Sequence, residues 1–280
     1  METYSHLYQQ LRPKLFALAY RMTGNVAESK DILQEVWANF LENAAQVTTP
    51  ENYLCRAVCN RTMSFLKKQQ VIREHYKGIY LPEPIFSETL GFEVEGDISM
   101  GFWLLLEKLN SLERAIFLLR ESFDFEYQEL AEIFEIQAAT CRQHFHRAKE
   151  KLASAKKRFS PTSEERKYWL SLFEQASQGE IENFIHALKE DVAIYSDGGG
   201  KVSAALNPIF GKENCGKMLR GFAQKKGADF EFRLAEINHC PAYLFYDKNS
   251  KKLDSVFVIE LDNQGITSIY IVRNPDKLGL

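Results

Sequence analysis

Between Phe125 and Leu152 the chain reads FEYQELAEIFEIQAATCRQHFHRAKEKL, which restricts the local fold to two short helices joined by a tight turn. Leu130, Ala131, Phe134, Ile136, Cys141, Phe145, Ala148 and Leu152 fall at helical spacings on either side of residues 135–138, so both helices share one small apolar core. That leaves Thr140, Arg142, Gln143, His144, His146 and Arg147 on the outside of the second helix. Arginine and glutamine pair bidentately with guanine and adenine edges in a groove wide enough for a helix, and Lys149 and Lys151 suit nearby phosphates. The pattern predicts a helix-turn-helix that reads DNA. The same residues also suit a basic, solvated helix in a bundle, so the rest of the chain must separate the two readings.

The formal net charge of −3 argues against a nucleic-acid protein only until the charges are mapped. Residues 52–77 hold Arg56, Arg61, Lys67, Lys68, Arg73 and Lys77 against Glu74; residues 140–158 hold Arg142, Arg147, Lys149, Lys151, Lys156, Lys157 and Arg158 against Glu150. Between these blocks lie Glu83, Glu88, Glu93, Glu95 and Asp97, interrupted by Pro82, Pro84, Gly91 and Gly96, a composition that reads as a connector. Two basic surfaces on a tether suit a protein touching two places on one duplex, with counterion release supplying affinity. The alternative is two solvated faces with no ligand.

A chain of 280 residues predicts two or three domains. No apolar run approaches the roughly 20 residues that a membrane helix needs. The start, METYSHLYQQLRPKLF, lacks a signal peptide's apolar centre, so a cytoplasmic location and no membrane partner are expected. Cys55, Cys59, Cys141, Cys215 and Cys240 form no CxxC pair, so neither a disulfide framework nor a zinc site is suggested; no metal and no cofactor are expected. Helices are expected over residues 11–23, 26–41 and from about 51 onward, as a compact bundle.

With these segments in place, RPKLFALAYRMTGN, AESKDILQEVWANFLE and PENYLCRAVCNRTMSFLKK resemble successive pieces of sigma region two, and SLERAIFLLRESFDFEYQELAEIF with the helix-turn-helix resembles sigma region four. The chain is similar to the extracytoplasmic-function sigma factors, subunits that direct bacterial RNA polymerase to promoters. The resemblance implies that Asp31, Gln34 and Glu35 face the clamp of core RNA polymerase, with the flap as a further contact. It implies that the loop from Asn43 to Asn52 captures a base from the melted minus-ten element, that Asn60, Arg61, Ser64, Lys67 and Lys68 line that strand, and that residues 140–147 enter the minus-thirty-five major groove. Glu135 departs from the glycine common at such turns, and a left-handed non-glycine residue costs about 1 kcal/mol or more. No catalytic group is implied.

After Ser160-Pro161-Thr162-Ser163 the character changes. Residues 164–189 suggest a helical pair broken at Gly179; strand-like runs follow at 192–196, 229–237, 242–246, 255–261 and 266–272, with a helix near 215–223, an α+β pattern. EDVAIYSDGGGKVSAALNPIFG and IVRNPDKL, with YLPEP upstream, resemble the SnoaL-like branch of the NTF2-like fold, fused to a sigma factor. The expected architecture is therefore two all-α sigma domains (1–70 and 101–160) joined by an acidic linker (71–100), then an NTF2-like cone with a curved antiparallel sheet (164–280). Tyr80, Leu81, Pro82, Glu83 and Pro84 are candidates to contact Asn274, Pro275, Asp276, Lys277 and Leu278, giving the extension a regulatory role; a C-terminal cap on the last strand is the plainer alternative. Tyr195, Asp197 and His239 are candidates to line a cavity for a small-molecule ligand. Two further readings stay open: a helix-turn-helix regulator that works without polymerase, and a SnoaL-like isomerase or cyclase.

Overall fold

The first helix, α1 (Glu2–Thr23), stops at Gly24, whose φ of +68° and tight approach to Trp103 exclude a side chain: a Cβ there would lie 2.4 Å from the indole. Asn25 then opens α2 (Val26–Asn43) by accepting the Glu28 amide at 2.6 Å. A 3-10 turn at Ala44–Gln46 leads to α3 (Pro50–Glu74), with Pro50 at the first turn, where a missing N–H costs nothing. The computed structural model describes residues 2–279 apart from 87, 89, 154–167, 169–170, 173, 177–179 and 227–228. It divides into two units. One comprises Met1–His75, Ser87–Ile98 and Phe102–Lys156; the other comprises Tyr76–Phe86, Ser99–Gly101 and Lys157–Leu280.

In the first unit, α1, α2 and α3 pack together around Phe16, Leu18, Tyr20, Met22, Phe40, Leu54 and Val58, all fully or almost fully buried. After α4 (Met100–Leu106), α5 (Ser111–Phe123) begins with a reciprocal capping box between Asn110 and Glu113. The helix-turn-helix is α6 (Tyr127–Phe134) and α7 (Ala138–Leu152), with Leu130, Cys141, Ala148 and Leu152 buried as their spacing predicted. Two buried arginines tie the bundle to α5. Arg21 donates to the carbonyls of Glu95 (2.7 Å) and Asp97 (2.9 Å) and to Ser122 Oγ (2.9 Å), and burial lowers its pKa to about 10. Arg114 donates to the Met22 carbonyl at 2.8 Å and pairs with Glu107, which also holds Arg73.

The second unit is a six-stranded sheet in the order β2-β1-β6-β5-β4-β3: β1 (Leu188–Asp197), β2 (Ile209–Phe210), β3 (Phe230–Ile237), β4 (Cys240–Asp247), β5 (Leu253–Asp262) and β6 (Gly265–Val272). One face carries Val192, Ile194, Tyr243, Phe257, Ile259, Ile269 and Ile271, packed with Phe184 and Ile185 of α8 (Ile181–His186) and Cys215 and Leu219 of α9 (Lys212–Lys226).

The strands fall where the alternation placed them, with the two-residue β2 added. The sheet is mixed rather than antiparallel, because β1 runs parallel to β6, with Ile194 opposite Ile269 and Tyr195 opposite Tyr270. Residues 71–100, expected as an acidic linker, carry helix and buried apolar residues. α3 runs on to Glu74, and Leu81 and Ile85 (second unit) and Leu90, Val94 and Ile98 (first unit) are buried. Proline, glycine and glutamate dominate the composition there and mask five apolar anchors. The change of character at 160–163, and the expected Gly179 break, lie outside the described residues.

Candidate nucleic-acid interface

Asn60, Arg61, Ser64, Lys67 and Lys68 are all exposed and fall at one-, four-, seven- and eight-residue steps, a single stripe along α3 opposite the buried Leu54, Cys55, Val58, Cys59 and Thr62. Arg61 is ion-paired to Glu35 of α2. A residue assigned to DNA and one assigned to polymerase are thus brought together, while Asp31 and Gln34 stay exposed beside them. Burial, reinforced by the neighbouring Asp31, raises the Glu28 carboxyl.

The loop between α2 and α3 forms one wall of a cleft of about 550 Å³, with Asn43, Gln46, Thr48, Thr49, Asn52 and Arg56 offering amide, hydroxyl and guanidinium groups. Its other wall is α6. Asn52 Nδ2 donates to Glu129 Oε1 at 3.0 Å, and Arg56 Nη2 pairs with Glu135 Oε1 at 2.9 Å. Glu129 is fixed independently, because its second oxygen accepts the Glu126 amide at 2.8 Å as the α6 capping box. Glu135 occupies the left-handed turn at φ 55°, the conformation in which glycine is free of strain.

On α7, Arg142, Gln143, His146 and Arg147 are exposed, and Thr140 and His144 are half-buried. Arg142 lies over the ring of Tyr127, 5.1 Å from its centroid, and Arg120 lies 5.2 Å from the same ring. Tyr127 thus holds Arg142 in place, a contact across fifteen positions that gave no sequence signal. Lys149 and Lys151, expected at phosphates, are directed back onto α5, to Glu121 at 3.1 Å and Glu113 at 2.6 Å. Glu113 is almost fully buried; burial opposes its ionisation, but Lys151 and the Asn110 amide outweigh it and hold the carboxyl below its ordinary range.

In the second unit Asp197, fully buried, accepts four hydrogen bonds. Tyr76 Oη (2.5 Å) and the Gly199 amide (2.9 Å) reach Oδ1; the Leu81 amide (2.9 Å) and Lys277 Nζ (2.7 Å) reach Oδ2. Lys277 also donates to the Leu81 carbonyl at 2.5 Å and lies 3.2 Å from the Tyr80 ring centroid; Asn274 Nδ2 donates to Tyr76 Oη at 3.0 Å. Burial, with the bond to Asp197, raises the Tyr76 phenol. Pro82 and Pro84 are buried beside Leu81, Glu83 is half-buried, Leu278 is buried, and Asp276 pairs with Lys201 at 2.6 Å. Farther along, Ile85 and Asn238 exchange two bonds: the Ile85 amide donates to Asn238 Oδ1 at 2.8 Å, and the Asn238 amide to the Ile85 carbonyl at 3.2 Å. A second segment docks through the Gly101 amide, which donates to Glu260 Oε1 at 2.7 Å.

Tyr195, Asp197 and His239, the candidates for a cavity lining, have the following placements. Tyr195 and Asp197 alternate with Val192 and Ile194 along β1 and so point away from the face that packs α8 and α9. Tyr195 stacks on Tyr270 at 5.3 Å, and Asp197 is consumed by the clamp. His239, with Asn238, forms the β3–β4 hairpin turn at φ 59° and 53°.

Two family models match the chain: sigma-70 region 2 over residues 7–71, and sigma-70 region 4 over residues 99–152. The ECF RNA polymerase sigma factor SigJ of Mycobacterium tuberculosis is 26% identical over 285 residues, covering 96% of this chain and 91% of its own. A probable ECF RNA polymerase sigma factor of the same species, SigI, is 26% identical over 194 residues, 65% of this chain and 66% of its own. The crystal structure of Mycobacterium tuberculosis SigJ superposes with a TM-score of 0.78 at 21% identity, covering 98% of each chain, which extends the shared fold through the C-terminal sheet.

Proposed function

We propose a division of labour within this chain, which belongs to the extracytoplasmic-function sigma factors and is an alternative sigma factor directing transcription initiation. Core RNA polymerase and promoter DNA are its partners, and since the polymerase makes the bonds, the chain is not an enzyme. The stripe Asn60, Arg61, Ser64, Lys67 and Lys68, with the loop from Asn43 to Asn52, takes the melted minus-ten strand. Arg142, Gln143, His146 and Arg147 enter the minus-thirty-five groove, with Thr140 and His144 at its rim. Asp31, Gln34 and Glu35 face the polymerase clamp. The supporting observation is that each set lies on one exposed helix face or loop of a family segment.

The C-terminal unit acts in this reading as a built-in regulator. It grips the chain at Tyr76–Phe86 and again at Ser99–Gly101, on both sides of the stretch joining α3 to α5. Burying Leu81 and Ile85 contributes about 1.5–3 kcal/mol each, so the grip outlasts any single hydrogen bond. Holding both ends limits how far the stretch joining the two DNA-reading regions can extend.

The test is reconstituted transcription with core polymerase on promoters that differ only in the spacing between the two elements. Arg142→Ala should abolish dependence on one minus-thirty-five base pair, and Asn238→Ala should broaden the tolerated spacing. A spacing profile unmoved by Asn238→Ala refutes the regulatory part; initiation indifferent to both DNA-reading sets refutes the rest.

A further inference from the structure

The cleft at the α2–α3 loop has donors on one side and carboxylates on the other, and the two sides touch. From this we infer that α6 is an intramolecular competitor for single-stranded nucleic acid, its carboxylates occupying the donors of the loop in the free chain. The inference rests on the reading of that loop as a strand-binding site and adds a state in which the site is closed.

Asn52 and Arg56 carry the chemistry a strand requires, an amide for a base edge and a guanidinium for a phosphate. Both are engaged, Asn52 by Glu129 and Arg56 by Glu135, with Glu132 on the same wall. Glu129 is held rigidly by its capping bond, so Asn52 meets a carboxylate already in place. Glu135 is the more telling residue. Its backbone conformation favours glycine, and within the turn its side chain adds nothing that glycine lacks; what it adds is the ion pair across the cleft. Exposure of 81% at Glu135 and 43% at Arg56 makes that pair weak and salt-sensitive. Weak closure fits a contact that polymerase and promoter must displace.

The experiment uses the full chain with Glu129→Ala, which leaves Asn52 without a partner on α6, with Glu135→Gly, which removes both strain and pair, and with the double variant. Hydrogen exchange at residues 43–49 and 127–135 reads closure directly. Fluorescence anisotropy with a short AT-rich single-stranded DNA probe at low salt reads competition. Loss of both contacts should speed exchange at both segments and tighten probe binding roughly fivefold, with binding to a minus-thirty-five duplex unchanged. Unchanged exchange in the double variant overturns the closed state whatever the probe does. Faster exchange without tighter binding overturns the competition and, separately, the reading of the loop as a strand site. An Arg56→Glu/Glu135→Arg swap should restore slow exchange; failure to do so removes the Arg56–Glu135 pair from the mechanism.

Discussion

Replacing Asp197 with asparagine keeps the volume of the side chain and removes its charge. Whichever way the new amide turns, its NH2 faces two existing donors: Tyr76 Oη and the Gly199 amide on one side, or the Leu81 amide and Lys277 Nζ on the other. Lys277 then keeps the Leu81 carbonyl and the Tyr80 ring but loses its counter-charge. With side-chain exposures of 0% and 5%, the pair is not discounted for solvent, and breaking one partner of such a pair costs about 3–5 kcal/mol. For a unit of this size that is a fall of roughly 10–20 °C in its Tm, read by calorimetry of the full chain. Removing both charges in Asp197→Asn/Lys277→Met should recover much of the loss, because no unpaired ion is left buried. A single variant within about 3 °C of the parent, or a double variant worse than the single, would refute the account of Asp197 as a charge-balanced clamp.

Glu107 supplies a pH test in the first unit. Burial opposes its ionisation, yet Arg114 and Arg73 overcome that and hold its carboxyl below the ordinary 4.5. Its stabilising contribution is therefore complete above pH 4.5 and lost as pH falls through the lower folded value; Glu107→Gln should lower the urea midpoint at neutral pH and flatten its fall in acid. An unchanged acid slope would exclude Glu107 as its source. Tyr127→Leu should weaken minus-thirty-five duplex binding about two- to fivefold, the worth of an exposed cation–π contact. It should add nothing in an Arg142→Ala background, whereas additive losses would mean that Tyr127 acts elsewhere.

Most of the secondary structure was legible because its signals are local. Periodicity placed α1 to α3, α6, α7 and the strands, and Glu135 was marked as the awkward residue of the turn because glycine is common there. The clamp was half legible: YLPEP and NPDKL were paired, but Tyr76, Asn238 and Gly101, which make some of its most specific bonds, were not. Each lies far in sequence from its partner, so no spacing rule reaches it. That the Asp197 carboxylate gathers four donors depends on β1 and β6 running parallel, and no local pattern announces a parallel pair. The parity of β1 was nonetheless available: Val192 and Ile194 on the apolar face exclude Tyr195 and Asp197 from it.

Charge segregation was the sequence feature that first favoured DNA over a plain bundle, and the structure changes how it is to be counted. Arg56, Arg61, Lys149 and Lys151 each meet a glutamate within the first unit, namely Glu135, Glu35, Glu121 and Glu113. These four cations cannot reach phosphates without releasing a carboxylate. The pairs differ in what release would cost. Lys151 holds a buried capping-box glutamate and is structural, whereas Arg56 and Arg61 face exposed or half-exposed partners on the surfaces proposed to meet DNA and polymerase. In the proposed reading Glu35 belongs to the polymerase-facing set, so engaging the clamp would also free Arg61 for the strand. On that assignment one binding event would prepare the next through an ordinary exchange of ion-pair partners, with acidic residues holding the basic stripes until the polymerase displaces them.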